Sequence, residues 1–239
     1  MRMGKIENLL LKIPEKKDLL SFLQQYMTED RSIRFKEVLA YRTRHFTVAV
    51  EDVYQERNAS AIVRSSDCFG IQDVYIIENY NTYQISSGIS KGADKWVDVH
   101  IYDKHPDNSG MCISDLKDMG YRIVAATPHI KVPHLEDFDI SGKSAFFLGG
   151  EKEGLSERIM DSADSYIRIP MYGFTESYNI SVAGALLLYS ITKRLHNSDI
   201  DWHLSEEEKL DLQLNWTIKT ITSAENLILK YLEKKGRLD

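Results

Sequence analysis

Short apolar runs rich in β-branched and aromatic residues alternate with helix-like or loop-like segments between residues 46 and 170. The runs are FTVAVEDV, DVYII, WVDVHIY, YRIVAAT, SAFFLGG and YIRIPM. Strands separated by helical crossovers form a mostly parallel sheet with helices on both faces. The sequence therefore predicts an α/β fold in which ligands bind beyond the carboxyl ends of the strands.

Helical spacing of apolar residues marks both ends of the chain. Leucines recur at this spacing in residues 5–27, where Pro14 interrupts them, so we expect two short helices there. Residues 31–42 are predicted to form another helix, and residues 177–195 a long one.

The last helical stretch covers residues 204–235. It begins at Ser205, and Glu208 three residues later completes a capping box. Its apolar face can pack on the core or on a partner subunit. This face consists of Trp216, Ile218, Ile221, Leu227, Leu229 and Leu232.

The composition is that of a globular protein, because 43% of the 239 residues are hydrophobic and 28% are charged. The longest apolar stretches, such as residues 180–189, are much shorter than the roughly 20 residues that span a bilayer. The amino terminus lacks the apolar region of a signal peptide, so the predicted location is cytoplasmic. Cys68 and Cys112 are too far apart for a CxxC site and are predicted to be packing residues.

The net charge of −6 argues against a protein that coats nucleic acid indiscriminately. A local basic region nevertheless exists, because residues 31–45 carry five Lys or Arg and a single acid, whereas residues 201–211 are strongly acidic. This segregation favours one surface that faces a polyanion, although a solvated helix with mixed charges fits equally well. The basic side chains are Arg31, Arg34, Lys36, Arg42 and Arg44.

Three stretches carry candidate chemistry, and the first is NASAIVR, residues 58–64. Asn58 stands where a helix should begin, so its structural role would be an N-cap. Arg64 interrupts a small and apolar helix face, where a guanidinium needs an anionic or carbonyl partner. A structural salt bridge and a functional contact both satisfy that need.

The second stretch is FFLGGEKEGLS, residues 146–156. Gly149 and Gly150 end an apolar strand, Glu151 and Gly154 follow, and a helix is expected to start at Ser156. Glycines at such a turn allow a ligand to approach the backbone and expose unpaired amides. The GxGxxG fingerprint of dinucleotide sites is missing, which disfavours a Rossmann oxidoreductase.

The third stretch combines IPMYG, residues 169–173, with TESYNISVAGALLLY, residues 175–189. Its loop delivers Ser177, Tyr178 and Asn179 to the amino end of a helix, where backbone N–H groups await partners. Small residues around Gly184 permit close packing of that helix. The sequence has no HExxH or Walker A motif and its histidines are scattered, so no metal is expected.

In this order, the three stretches resemble the signature motifs of the SpoU branch of the SPOUT RNA methyltransferases. These enzymes transfer methyl from S-adenosylmethionine to a ribose 2'-hydroxyl. The resemblance covers about residues 31–195 and is strongest to the TrmH-type enzymes, which methylate guanosine 18 in the D-loop of tRNA. Departures from the family pattern are Tyr178, where Leu is usual, and Glu176, where Gln is common.

The resemblance implies a deep trefoil knot that holds S-adenosylmethionine, and a homodimer that buries the helix of residues 177–195 and the carboxy-terminal helix. It divides the chain into a basic helical extension at 1–45, a methyltransferase core at 46–195 and a helical extension at 196–239. A ribosomal-RNA 2'-O-methyltransferase and a non-catalytic RNA-binding relative are the alternatives.

The resemblance also assigns roles to residues. Arg64 would activate the 2'-hydroxyl, and the basic residues of 31–45 would hold the RNA backbone. The residues that would arrange Arg64 and the nucleotide are Asn58, Glu151, Ser177 and Asn179. The residues that would line the cofactor pocket are Thr127, Gly149, Gly150, Ile169, Met171 and Tyr178.

Overall fold

The computed structural model describes residues 6, 9–11, 13–82, 90–128, 132–150 and 152–237. The chain divides into two compact units. Thr43–His203 forms an α/β unit, and Met1–Arg42 together with Leu204–Asp239 forms a helical unit. The two predicted extensions therefore belong to one unit, and the boundaries differ from the expected 45/46 and 195/196.

The α/β unit contains a six-stranded parallel sheet with the order β3-β2-β1-β5-β4-β6. Each strand lies within or overlaps one of the apolar runs, so the predicted α/β fold is confirmed. The strands are β1 Phe46–Glu51, β2 Asp73–Ile77, β3 Asp98–Tyr102, β4 Arg122–Ala126, β5 Ser144–Gly149 and β6 Ser165–Ile167. The helices of this unit are α3 Glu56–Cys68, α4 Asn108–Asp118, α5 Glu157–Ser162 and α6 Ile180–His196.

Helices cover both faces of the sheet because side chains alternate along each strand. In β5, Phe146 and Leu148 join the cluster formed with α3 and α6, whereas Ala145 and Phe147 join the cluster formed with α4 and α5. Cys112 is buried in the second cluster, as predicted. Cys68 is exposed at the end of α3, so its predicted packing role is wrong.

The helical unit contains α1 Lys16–Gln24, α2 Glu29–Leu39, α7 Glu206–Thr220 and α8 Ala224–Lys234. Helix α1 is the second helix predicted in residues 5–27, and the first falls largely outside the described residues. Leucines of α1 are buried together with apolar residues of α7 and α8. Of the helices that the structure describes, none is long and apolar enough to cross a membrane.

Two helix limits differ from those predicted. Residues 204–235 form two helices rather than one, because Ile221 adopts an extended backbone conformation after α7. Thr220, Ile221 and Thr222 are all β-branched, which lowers helix propensity at that point. The capping box of Ser205 and Glu208 is present as predicted. Helix α6 begins at Ile180, because Asn179 is its N-cap.

A partly buried ion-pair network, centred on the buried Asp73, lies at the amino ends of β2 and β3. Asp73 accepts hydrogen bonds from Arg44 Nε and His100 Nε2, each at 2.8 Å, and Arg44 Nη2 also donates to Asp98 at 3.2 Å. Burial raises the pKa of the Asp73 carboxyl, but the hydrogen bond from His100 and the charge of Arg44 outweigh it. The pKa of Asp73 therefore lies below its usual value, and its charged form stabilises the fold.

We predict that Asp73→Asn lowers the free energy of unfolding at pH 7 by about 2–3 kcal/mol, because it leaves the half-buried Arg44 with a weaker partner. The contribution of Asp73 is present above its ordinary pKa of about 4 and is lost as pH falls through the lower folded value. Urea unfolding from pH 7 to pH 3 should show the two proteins converging in stability at acid pH. A constant difference across this range would contradict the assignment.

Candidate active site

A cavity of about 410 Å³ opens beyond the carboxyl ends of β4, β5 and β6. This is the edge where the parallel sheet was expected to bind a ligand, and the volume suits a small molecule. Predicted site residues that line it are Thr127, Gly149, Gly150, Ile169, Met171, Ser177 and Tyr178. A second cavity of about 480 Å³ lies in the helical unit around residues 218–226 and contains none of the three motifs.

The glycine turn after β5 is shaped by its own backbone. A Cβ atom on Gly149 would lie 2.0 Å from the carbonyl carbon of Gly154, and one on Gly150 would lie 2.7 Å from the carbonyl oxygen of Asp52. Both glycines line the cavity, but it is neighbouring protein backbone that excludes a side chain from them. These glycines therefore also meet a packing requirement that the sequence reasoning did not identify.

Glu51, the last residue of β1, fixes the far end of this turn. Its buried carboxylate accepts hydrogen bonds from the backbone N–H and the hydroxyl of Ser156, both at 2.7 Å, and from the hydroxyl of Ser109 in α4. Ser156 is also the N-cap of α5, as predicted. Sequence reasoning missed Glu51, although an acid that ends an otherwise apolar strand was a usable signal.

Asp52 orders the neighbouring loop. Its backbone has a positive φ of 48°, and its Oδ1 accepts hydrogen bonds from the backbone N–H groups of Asn79 and Tyr80, each at 2.8 Å. Asn79 also donates its side-chain amide to Asp52 Oδ2 at 3.1 Å. Asp52, which follows β1, is therefore hydrogen-bonded to the loop after β2. Its own carbonyl oxygen packs against Gly150.

The first and third motifs meet through two asparagines. Asn179 Oδ1 accepts hydrogen bonds from the backbone N–H groups of Ser181 and Val182, at 2.9 and 3.4 Å, and thereby caps α6. Asn179 Nδ2 donates to Asn58 Oδ1 at 3.3 Å. Asn58 is buried within the first turn of α3 and is not the N-cap, which is Gln55, so that prediction is wrong.

Close packing of α3 and α6 explains the small residues of the third motif. A Cβ atom on Gly184 would lie 3.2 Å from Cγ1 of Ile62 and 3.3 Å from Cδ1 of Leu148. A residue without a side chain at this position lets the two helices and β5 approach closely enough for the Asn58–Asn179 contact.

The loop before α6 forms one wall of the cavity. The hydroxyl of Tyr178 donates to the carbonyl oxygen of Pro170 at 3.0 Å, which ties the two ends of the loop together. Glu176, the other departure from the family pattern, also lines the cavity, as does Glu153. The wall therefore combines an aromatic ring with two acidic side chains.

Of the predicted catalytic residues that the structure describes, Arg64 stands apart from this cluster. Arg64 is exposed on α3, so the expectation of a guanidinium held in an apolar face is wrong. Six residues after Asn58, it lies about 240° around the helix from it and outside the cavity lining. Glu151 lies outside the described residues.

The predicted basic RNA-binding set is only partly at the surface. Arg31, Arg34 and Lys36 are exposed on α2, where Arg34 also pairs with Glu37 at 3.1 Å. Arg42 is buried, with its guanidinium carbon 5.3 Å from the ring centroid of Trp216. Arg44 is held by Asp73 and Asp98. Arg42 is therefore too buried for the predicted phosphate contact, and Arg44 is already paired with two carboxylates.

The SpoU rRNA Methylase family model matches residues 45–189, which include all three motifs and the cavity. The chain belongs to this family. It is 39% identical over 212 residues to the tRNA (guanosine(18)-2'-O)-methyltransferase of Borreliella burgdorferi, and the match covers 87% of this chain and 95% of that relative. The enzyme of the same name from Escherichia coli K12 is 30% identical, over 72% of this chain and 73% of the relative.

Solved structures agree with this membership of the SpoU family. The crystal structure of the A. aeolicus TrmH/SpoU tRNA modifying enzyme matches with a TM-score of 0.71 and 31% identity, covering 82% of this chain and 98% of that one. The SpoU methyltransferase AviRb from Streptomyces viridochromogenes, in complex with AdoMet, shares the fold with a TM-score of 0.57 at 20% identity, over 68% of this chain and 62% of that one. The family predicted from the three motifs is confirmed.

We predict that Gly149→Ala destabilises the protein by at least about 2 kcal/mol, because its Cβ would overlap the backbone of Gly154. Gly173→Ala is the matched control, since nothing lies within 4 Å of the added atom. It should change stability by less than about 1 kcal/mol. Thermal and urea unfolding of both variants provide the measurement, and equal stabilities would show that the turn is more tolerant than its geometry implies.

Proposed function

We propose that this protein is an S-adenosylmethionine-dependent RNA ribose 2'-O-methyltransferase that acts on tRNA at guanosine 18 of the D-loop. The observation that carries the proposal is a cavity lined by residues of the second and third SpoU motifs, to which the first motif is joined by the hydrogen bond from Asn179 to Asn58. Relatives named for this tRNA reaction match most of the chain. The family description names ribosomal RNA, so a ribosomal-RNA 2'-O-methyltransferase is the second candidate.

The residues around the cavity fit S-adenosylmethionine. The cavity has about 410 Å³, apolar walls from Leu148, Ile169 and Met171, and the acidic side chains of Glu153 and Glu176, which suit a ligand with a positive sulfonium group. When bound, this cofactor supplies an activated methyl group. The proposed binding residues are Thr127, Gly149, Gly150, Ile169, Met171 and Tyr178. Among the described residues, no group of three or more His, Cys, Asp or Glu side chains could hold a metal ion.

In the proposed reaction, residues of the protein orient the ribose and stabilise charge that develops on its 2'-oxygen. A guanidinium stays protonated in proteins, so Arg64 cannot accept the ribose proton. We propose instead that the Arg64 guanidinium binds the adjacent phosphate and stabilises the developing alkoxide. The phosphate or Glu151 would accept the ribose proton. Ser177, Asn179 and Asn58 would hold the nucleotide, and such alignment can contribute roughly 7–11 kcal/mol.

A homodimer forms part of the proposal. Helix α6 carries an exposed apolar stripe of Val182, Leu186 and Tyr189, at the spacing of one helix face. Arg64 is exposed on α3, which packs against α6, and does not line the cavity of its own chain. A second copy seated on the stripe would cover it, and Arg64 would then serve the cavity of the partner.

The carboxy-terminal helices do not offer the dimer surface expected of them. Trp216, Ile218, Leu227 and Leu232 are buried within the helical unit itself. Their burial leaves α6 as the proposed contact between copies. The exposed Arg31, Arg34 and Lys36 of α2 remain the proposed contacts with the RNA backbone.

The trefoil knot and the cytoplasmic location are also proposed. Strand β5 lies between β1 and β4, although β4 precedes it in the chain, and the cavity is built from the loops after β4, β5 and β6. This arrangement supports a chain that threads behind the glycine turn before it enters α6. A cytoplasmic location follows from the proposed tRNA substrate.

We predict that the protein transfers labelled methyl from S-adenosylmethionine to unmodified tRNA, and that nuclease digestion returns the label as 2'-O-methylguanosine from the D-loop. Ribosomal RNA in a parallel reaction is the control. Label in ribosomal RNA alone would move the substrate to the second candidate. Absence of label from both RNAs would contradict the proposed activity.

We predict that Arg64→Ala lowers methyl transfer by a factor of about 100 or more, because a charge that stabilises the transition state is removed. The affinity for S-adenosylmethionine should stay at the wild-type value, since Arg64 lies outside the cavity lining. The matched control is Arg158→Ala, which removes an exposed arginine of α5 that pairs with Asp107. Single-turnover transfer and equilibrium binding measure the two quantities, and wild-type transfer by Arg64→Ala would refute its role.

A further inference from the structure

Four aromatic side chains are exposed on loops that follow the carboxyl ends of strands. Tyr54 follows β1, Tyr80 follows β2, and Tyr172 and Phe174 follow β6. We call these four residues the aromatic rim. Tyr172 is 94% exposed, Tyr80 is 93% exposed and Phe174 is completely exposed.

The rim is confined to one edge of the sheet. Within the described part of the α/β unit, the only other strongly exposed aromatic residues are Tyr178, which lines the cavity, and Tyr189 on α6. At the opposite edge, Tyr121 and Phe138 are buried. Single exposed apolar residues are ordinary, but several large ones along one edge indicate a binding surface.

The rim adjoins the cavity. Tyr172 and Phe174 belong to the loop whose other residues, Met171 and Glu176, line the cavity wall. The ring of Tyr54 lies beneath Lys152, with Nζ 4.8 Å from the ring centroid, and Lys152 also lines the cavity. A polymer with one nucleotide at the cavity would therefore extend its neighbouring nucleotides over the rim.

Charge favours nucleobases, rather than phosphates, as the groups that bind there. The cavity wall holds Glu153 and Glu176 together with Lys152, and the whole chain has a net charge of −6. Acidic side chains repel a phosphate backbone, whereas neutral rings stack on any base. Such stacking requires bases that are unpaired, as they are in loops of RNA.

We propose that the aromatic rim, centred on Tyr172 and Phe174, stacks the unpaired bases that flank the methylated nucleotide. The inference rests on the proposed function, because it deepens the recognition of the same RNA at the same site. It assigns binding energy for the substrate to rings at the cavity mouth and assigns long-range electrostatic attraction to the exposed cations of α2.

The test compares ring removal with charge removal. Tyr172→Leu and Phe174→Leu, singly and together, keep apolar bulk but lose the ring, whereas Tyr172→Phe and Phe174→Tyr keep the ring. Each single Leu variant should bind unmodified tRNA about tenfold more weakly at every salt concentration. The slope of the logarithm of the binding constant against the logarithm of the salt concentration should stay unchanged. Arg34→Gln should instead reduce the slope by about 0.7–0.9. The ring-preserving variants should bind like wild type, and all should bind S-adenosylmethionine normally.

Three results decide the matter. Wild-type tRNA affinity in the double Leu variant would overturn the proposal. Conversion of a wild-type dimer into monomers by the Leu substitutions, seen by sedimentation, would also overturn it, because the rim would then be a contact between copies of the chain. If the wild-type protein neither binds nor methylates tRNA or ribosomal RNA, the proposed function fails. If the wild-type protein is active and the Leu variants bind tRNA as tightly as it does, the proposed function stands and only the role of the rim fails.

Discussion

The hydrogen bonds that the buried carboxylate of Glu51 accepts hold together the loops at the carboxyl edge of the sheet. A charge removed from water is tolerated only when hydrogen bonds replace its hydration, so its donors are held in fixed positions. These donors come from separate parts of the chain: Ser109 at the start of α4, Ser156 at the end of the glycine turn, and the side-chain amide of Asn79 after β2. The loops at this edge therefore cannot relax independently of the sheet.

The same constraint explains why the cavity wall can be built from a glycine turn. Gly149 pairs with Glu51 in the register of β5 and β1, and the turn returns to Ser156 on the same carboxylate. Between these anchors, Gly150 packs against the backbone of Asp52. A turn fixed at both ends can present backbone to a ligand without a large ordering cost on binding, which is the general advantage of preorganisation.

Much of the fold was predictable, because burial on both sides of a parallel strand leaves a continuous apolar run in the sequence. The second and third motifs likewise led to the cavity, since residues that follow such runs gather at one edge. The burial of Arg42 and the pairing of Arg44 with two aspartates were not predictable. Whether an arginine faces solvent or a ring such as Trp216 depends on tertiary packing between segments far apart in the sequence. The partners of Glu51 depend on the same kind of long-range packing.

The polar residues at the mouth of the apolar helix α6 follow from two requirements at one position. The amino end of α6 needs an acceptor for its unpaired N–H groups, and Asn179 Oδ1 supplies it. The buried side-chain oxygen of Asn58 needs a donor, and Asn179 Nδ2 supplies that. Aspartate would cap the helix equally well but has no N–H to donate. Asparagine meets both needs in one side chain, so the cap that ends the loop also joins the first motif to the third. A largely apolar helix can thus begin beside the cavity because its N-cap, Asn179, joins the first motif to the third.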